Sequence, residues 1–188
     1  MEKPLNEQES LAIISSMIAG TRRKMSEGSS YFLVWGWATF LAALIEFGLL
    51  RGGFEHHYLV WAVFMPAAGI LTGILSRRDA QLGVKTHLDR AMNALWLGFA
   101  VTLLLILGTA VKIGWENVYP IVILMYGLGT FVSGGLLRFR PLMFGGALSW
   151  ALGMAALFVG FDIQLLLVAA SVAVSYLIPG YLLKTSKQ

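Results

Sequence analysis

Polar and apolar positions do not alternate along this chain. After residue 30 they segregate into six long apolar runs separated by short polar connections. The runs are Tyr31–Leu50, Tyr58–Leu75, Ala91–Val111, Val118–Leu137, Pro141–Phe161 and Ile163–Leu183. A bilayer core about 30 Å thick needs roughly 20 apolar residues per crossing helix. Runs of this kind predict six transmembrane helices rather than strands, because a lipid-exposed open sheet leaves backbone groups unsatisfied. The expected fold is therefore an all-α integral membrane protein. It consists of a transmembrane domain over 29–188, built as three hairpins (31–75, 91–137 and 141–183), and a separate helix over 1–28.

The segment 1–28 has a different pattern. Leu11, Ile14 and Ile18 fall on one face with Met17 beside them, the 3.6-residue repeat of an amphipathic helix. Asn6 and Glu9 have the spacing of a capping box. Glu7 and Glu9 open the helix and Arg22, Arg23 and Lys24 close it, in the sense the helix dipole favours. Such a helix lies on the inner leaflet or docks on a partner, and Leu11, Ile14, Met17 and Ile18 are the candidate partner-binding face.

The charged residues give an orientation. Of the 14 Lys and Arg, all but Arg51 and Lys112 precede the first run, follow the last, or lie in the second or fourth connection. Basic residues concentrate on the cytoplasmic side, so both termini are expected inside. The net charge of +4 is thus a topology signal, and no nucleic-acid partner is expected. Composition agrees with the class: 57% of the 188 residues are hydrophobic and 13% charged, against about 25% charged in soluble domains. Mean hydropathy is +0.74. The absence of Cys excludes disulfides, thiolate metal sites and Cys nucleophiles. The other connections, Arg51–His57, Lys112–Asn117 and the region of Asp162, are too short for a folded external domain.

A repeat is visible across the hairpins. Each second run ends with Gly four residues before a basic residue: Gly73 and Arg77, Gly134 and Arg138, Gly180 and Lys184. Trp35, Trp96 and Trp150 mark the first run of each pair. Small-residue stripes, Gly69-x-x-x-Gly73 and Gly145-x-x-x-Ser149-x-x-x-Gly153, predict close helix packing, as does the face of Gly127, Gly129, Ser133 and Gly134. Pro66 predicts a kink and Pro179 a loosened final turn, whereas Pro120 and Pro141 are expected at helix starts, where a missing N–H costs little.

Gln8-Glu9-Ser10-Leu11, Leu33-Val34-Trp35-Gly36-Trp37, Phe139-Arg140-Pro141-Leu142 and the closing Tyr176-Leu177-Ile178-Pro179-Gly180-Tyr181 resemble a group of short multi-span membrane proteins of Bacteroidetes bacteria. The resemblance runs the length of the chain. It implies a bacterial inner-membrane location and carries over no activity, cofactor or catalytic residue.

Glu46 is the one ionisable residue well inside a run, four residues before its end, and is the candidate proton or cation site. From that depth it is expected to reach the headgroups or pair with Arg51 or Lys112. Arg51, His56, His57, Glu116 and Asp162 form a candidate polar cluster on the outer rim. Adjacent His56 and His57 share no helical face, so no metal site and no cofactor are expected. Hydrolase, phosphate-loop and zinc-protease motifs are missing.

Three functions are therefore weighed. The first is a non-enzymatic accessory or regulatory protein working through its N-terminal helix. The second is a small transporter or channel for a neutral or weakly charged solute, with Glu46 as coupling carboxylate. The third is a lipid-modifying enzyme at the outer rim. Expected partners are the lipid bilayer and a cytosolic or membrane protein, with homo-oligomerisation open.

Overall fold

A computed structural model describes the backbone of residues 7–80 and 87–185 and the side chains of residues 29–78 and 87–185. Secondary structure among them is entirely helical: α1 (Glu7–Arg51), α2 (Leu59–Ala80), α3 (His87–Ile113), α4 (Trp115–Leu136), α5 (Arg140–Ala156) and α6 (Phe161–Thr185). Five segments are long and apolar enough to cross a membrane: Ser29–Arg51, Leu59–Arg78, His87–Ile113, Trp115–Leu136 and Phe161–Thr185.

Two boundaries depart from the sequence pattern. The expected fifth run, Pro141–Phe161, is helical only to Ala156, so α5 has 17 residues and is about 25 Å long at 1.5 Å per residue. Leu157 and Phe158 turn back through bonds to Met154 O and Ala155 O. Extended Gly160 (φ −68°, ψ 160°) then leads into α6. Asp162 therefore lies in the first turn of α6 and not in a connection. The second departure is at the N-terminus, where α1 runs unbroken through residues 28–31 as a single 45-residue helix. Asn6 and the side chains of Leu11, Ile14, Met17 and Ile18 lie outside the described residues.

Short connections force consecutive helices to run antiparallel. Two of these turns close with the same hydrogen-bond pattern. After α1, Phe54 N–H donates to Leu49 O (3.0 Å) and Gly53 N–H to Leu50 O (3.1 Å), with Gly53 at φ 77°. After α4, Phe139 N–H donates to Gly134 O (2.8 Å) and Arg138 N–H to Gly135 O (3.2 Å). This pair of bonds requires a left-handed residue, normally Gly, and here Arg138 adopts it at φ 53°.

Helices α1, α4, α5 and α6 enclose the core; α2 packs on α1 and α3 on α4, and α2 and α3 do not pack on each other among the described residues. The α4–α5 contact is closest. A Cβ at Gly146 would lie 2.7 Å from both Gly127 O and Phe131 N, and one at Gly134 would lie 2.7 Å from Met143 N. The stripe on α5 divides between two neighbours. Gly145 meets the backbone of Val174 and Ser175 in α6, Ser149 bonds Ser171, and Gly153 lies against Leu124 of α4. The Gly69 and Gly73 stripe on α2, expected to pack, has nothing within 4 Å in this chain. The three repeated glycines thus sit in different surroundings: Gly73 is open, Gly134 meets α5 and Gly180 meets Leu33.

Pro179 acts just before the turns where loosening was expected, since Ile178–Thr185 is itself α-helical. It cannot donate an N–H to Ser175 O, and the ladder just before it shifts to a π turn over Ala173–Leu177, with Ile178 N–H bonded to Ala173 O. Ser175 Oγ donates to Ser171 O (2.7 Å), and Ser171 Oγ donates to Ser149 Oγ (2.9 Å) on α5.

Candidate functional site

The core-facing stripe of α1 is small or polar: Ser29, Thr39, Ala43 and Glu46 are buried, along with Phe32. It ends at Glu46, which is 1% exposed. A carboxylate taken out of water needs donors on its oxygens, and three converge here from two other segments. His57 Nδ1 lies 2.9 Å from Oε1. Tyr119 OH, in the second turn of α4, donates to Oε2 at 2.9 Å. Trp61 Nε1, in the first turn of α2, donates to the same oxygen.

Local chain geometry produces this convergence. The reversal at Gly53 brings the connector back over the end of α1. The bonds Leu59 N–H to His56 O and Trp61 N–H to Tyr58 O then wind His57 and Trp61 into the start of α2. Aromatic rings close the surroundings. Phe161 packs on Tyr119 (5.3 Å between centroids) and on His57 (6.2 Å), and Trp61 and Trp115 pack on Tyr119 at 6.3 and 6.4 Å. Burial of Glu46 to 1% exposure strengthens its polar bonds and raises the penalty for any left unmade.

The chemistry follows from the donor set. Oε2 accepts two donors, and Oε1 faces His57 Nδ1. His57 keeps 18% of its side chain exposed, so a buried carboxyl group contacts a ring with an exposed edge.

Of the expected rim cluster, Arg51 and Asp162 pair with each other and His57 joins Glu46. Arg51 does not reach Glu46; it bridges Asp162 at 2.6 Å and lies over the Phe47 ring at 5.5 Å. Lys112 is exposed at the end of α3. The expected pairing of Glu46 with either cation is therefore replaced by His57, Trp61 and Tyr119. His56 bonds the Tyr58 hydroxyl at 3.3 Å, and Glu116 stands in the first turn of α4. Among the described residues no group of three His, Cys, Asp or Glu is placed to hold a metal ion.

Gln164 is a buried polar residue the pattern did not single out. Its amide nitrogen donates to Glu116 O (2.8 Å) and Ala156 O (2.9 Å). Both carbonyls need it. Pro120 sits inside α4 rather than at its start, and its missing N–H leaves Glu116 O without a helical donor. Ala156 ends α5, where carbonyls have no intrahelical partner. Gln164→Leu, close in size, is expected to lower stability by about 2 kcal/mol, since an unsatisfied buried group costs roughly 1–3 kcal/mol. Unfolding by SDS titration in mixed micelles measures it, and a variant as stable as the parent would contradict this role.

Compared with known proteins, the chain matches no family model, no curated protein and no solved structure.

Proposed function

We propose that this chain is a non-enzymatic accessory or regulatory protein of the bacterial inner membrane, anchored by its bundle and binding a partner through its N-terminal helix on the cytoplasmic side. The observation carrying this reading is the continuity of α1 from Glu7 to Arg51. At 1.5 Å per residue that helix is about 67 Å long, more than twice a bilayer core of about 30 Å. A straight helix cannot both cross the membrane and lie flat on its surface. Continuity therefore supports a face of Leu11, Ile14, Met17 and Ile18 held away from lipid, where an apolar stripe fits a groove on another protein.

The test is gentle extraction from native membranes followed by native mass spectrometry. The parent chain is expected to carry a stoichiometric protein partner. The triple variant Leu11→Glu, Ile14→Glu, Ile18→Glu is expected to lose it while inserting at the same level. A parent chain extracted bare, or a triple variant that keeps its partner, would sink the proposal.

One observation favours the second reading, transport coupled through Glu46: the buried carboxyl faces a histidine whose side chain is 18% exposed. Solute flux into liposomes that survives Glu46→Gln would remove that coupling.

A further inference from the structure

An apolar furrow lies between α1 and α2, on the side of α1 away from Glu46. Its volume is about 430 Å³, within the roughly 300–1,000 Å³ of small-molecule sites. Trp37, Leu33 and Leu41 of α1 and Phe64 and Leu71 of α2 wall it, and Ala67 lies among them. The helices run antiparallel, so the furrow extends lengthwise, from the level of Leu41 and Phe64 to that of Leu33 and Leu71. Small residues between large ones create the trough: Ala38 on one helix, Ala67 and Ala68 on the other.

What continues beyond each end decides the occupant. Past Leu71, α2 ends in exposed Arg77 and Arg78, about 9 Å further along the helix axis. The wall at Trp37 is tied to α6, where Trp37 Nε1 donates to Tyr181 OH at 3.0 Å. One turn beyond Tyr181 stands exposed Lys184. Beyond the opposite end stands Arg51, which is already bridged to Asp162, so among the described residues the trough leads toward cations without a carboxylate partner at the Arg77 and Arg78 end. We propose that the furrow holds an acyl chain of an anionic phospholipid whose phosphate group rests against Arg77 and Arg78. Basic residues near the surface each favour an anionic lipid by about 1 kcal/mol, a several-fold preference per residue. A zwitterionic headgroup gains less from the same pair. This inference is independent of the functional reading above.

The test reconstitutes the full chain in bilayers of equal dioleoyl phosphatidylglycerol and dioleoyl phosphatidylethanolamine and counts retained lipids by native mass spectrometry. The parent chain is expected to keep one phosphatidylglycerol, at least fivefold over phosphatidylethanolamine. Ala67→Trp, which fills the trough from an exposed position, should reduce lipid retention at least fivefold. Arg77→Gln with Arg78→Gln should keep a lipid but lose the headgroup preference. Equal retention in Ala67→Trp and parent, or an undiminished preference in the double variant, would overturn the site. A dimer that Ala67→Trp abolishes would overturn it in favour of a second copy of the chain.

Discussion

Replacing Glu46 by alanine is expected to destabilise the protein by about 3 kcal/mol, while Glu46→Gln loses only about 1 kcal/mol. Alanine strips the acceptors from Trp61 Nε1 and Tyr119 OH and the partner from His57, leaving two buried donors unmade. Each such group costs roughly 1–3 kcal/mol, and the aromatic shell keeps water from substituting. Glutamine retains an oxygen for Trp61 and Tyr119 and offers an N–H to a neutral His57 Nδ1. Hydrogen bonds between membrane helices average only about 0.6 kcal/mol in double-mutant cycles, with a maximum near 1.7 kcal/mol. A cycle of Glu46→Ala with Tyr119→Phe is therefore expected to show coupling near the upper figure. SDS-induced unfolding in mixed micelles gives all four stabilities. A Glu46→Ala protein as stable as the parent would mean the network contributes nothing.

Gly146→Ala is expected to cost about 3 kcal/mol, and Gly73→Ala to change stability by less than about 0.5 kcal/mol. The substitutions are chemically identical, and their surroundings are not. At Gly146 the new Cβ meets two backbone atoms of α4 at 2.7 Å. Backbone cannot rotate away as a side chain can, so α4 and α5 must separate along their length. Overpacking typically costs 1–3 kcal/mol and more where relief is blocked. At Gly73 the Cβ meets nothing within 4 Å. A stable Gly146→Ala protein would show that the α4–α5 approach is looser than described.

The helical class and most helix limits were legible in the sequence because they depend on local composition. The last helix follows from an apolar run, whereas the missing N–H of Pro179 shifts the ladder before the proline and not in the final turn. The end of α5 did not show, since Leu157, Phe158 and Val159 are as apolar as the helix they terminate. Glu46 stood out by its charge, but its partners did not. Arg51 was nearer in sequence, yet it faces Asp162, and the contact to Tyr119 spans 73 residues. Gln164 was hidden for a related reason. Its task is set by a proline 44 positions earlier, and only the packing of three helices brings Glu116 O and Ala156 O to one amide. Small-residue stripes misled in part: spacing shows that a face can pack, and Gly69 and Gly73 show that it need not do so within one chain.

The unbroken α1 has a mechanical consequence. Glu7 lies about 38 Å along the helix from Phe32, which packs on Trp96 and Tyr176, at 1.5 Å per residue. A change in tilt of about 10° about Phe32 sweeps Glu7 through about 6.5 Å, more than the pitch of one helical turn. Glu46 fastens the far end of the same lever to α2 and α4. Phe32 and Glu46 are about 21 Å apart along the helix, so the same tilt moves Glu46 by about 4 Å, and the bonds that hold Glu46 to α2 and α4 restrain how far Glu7 swings.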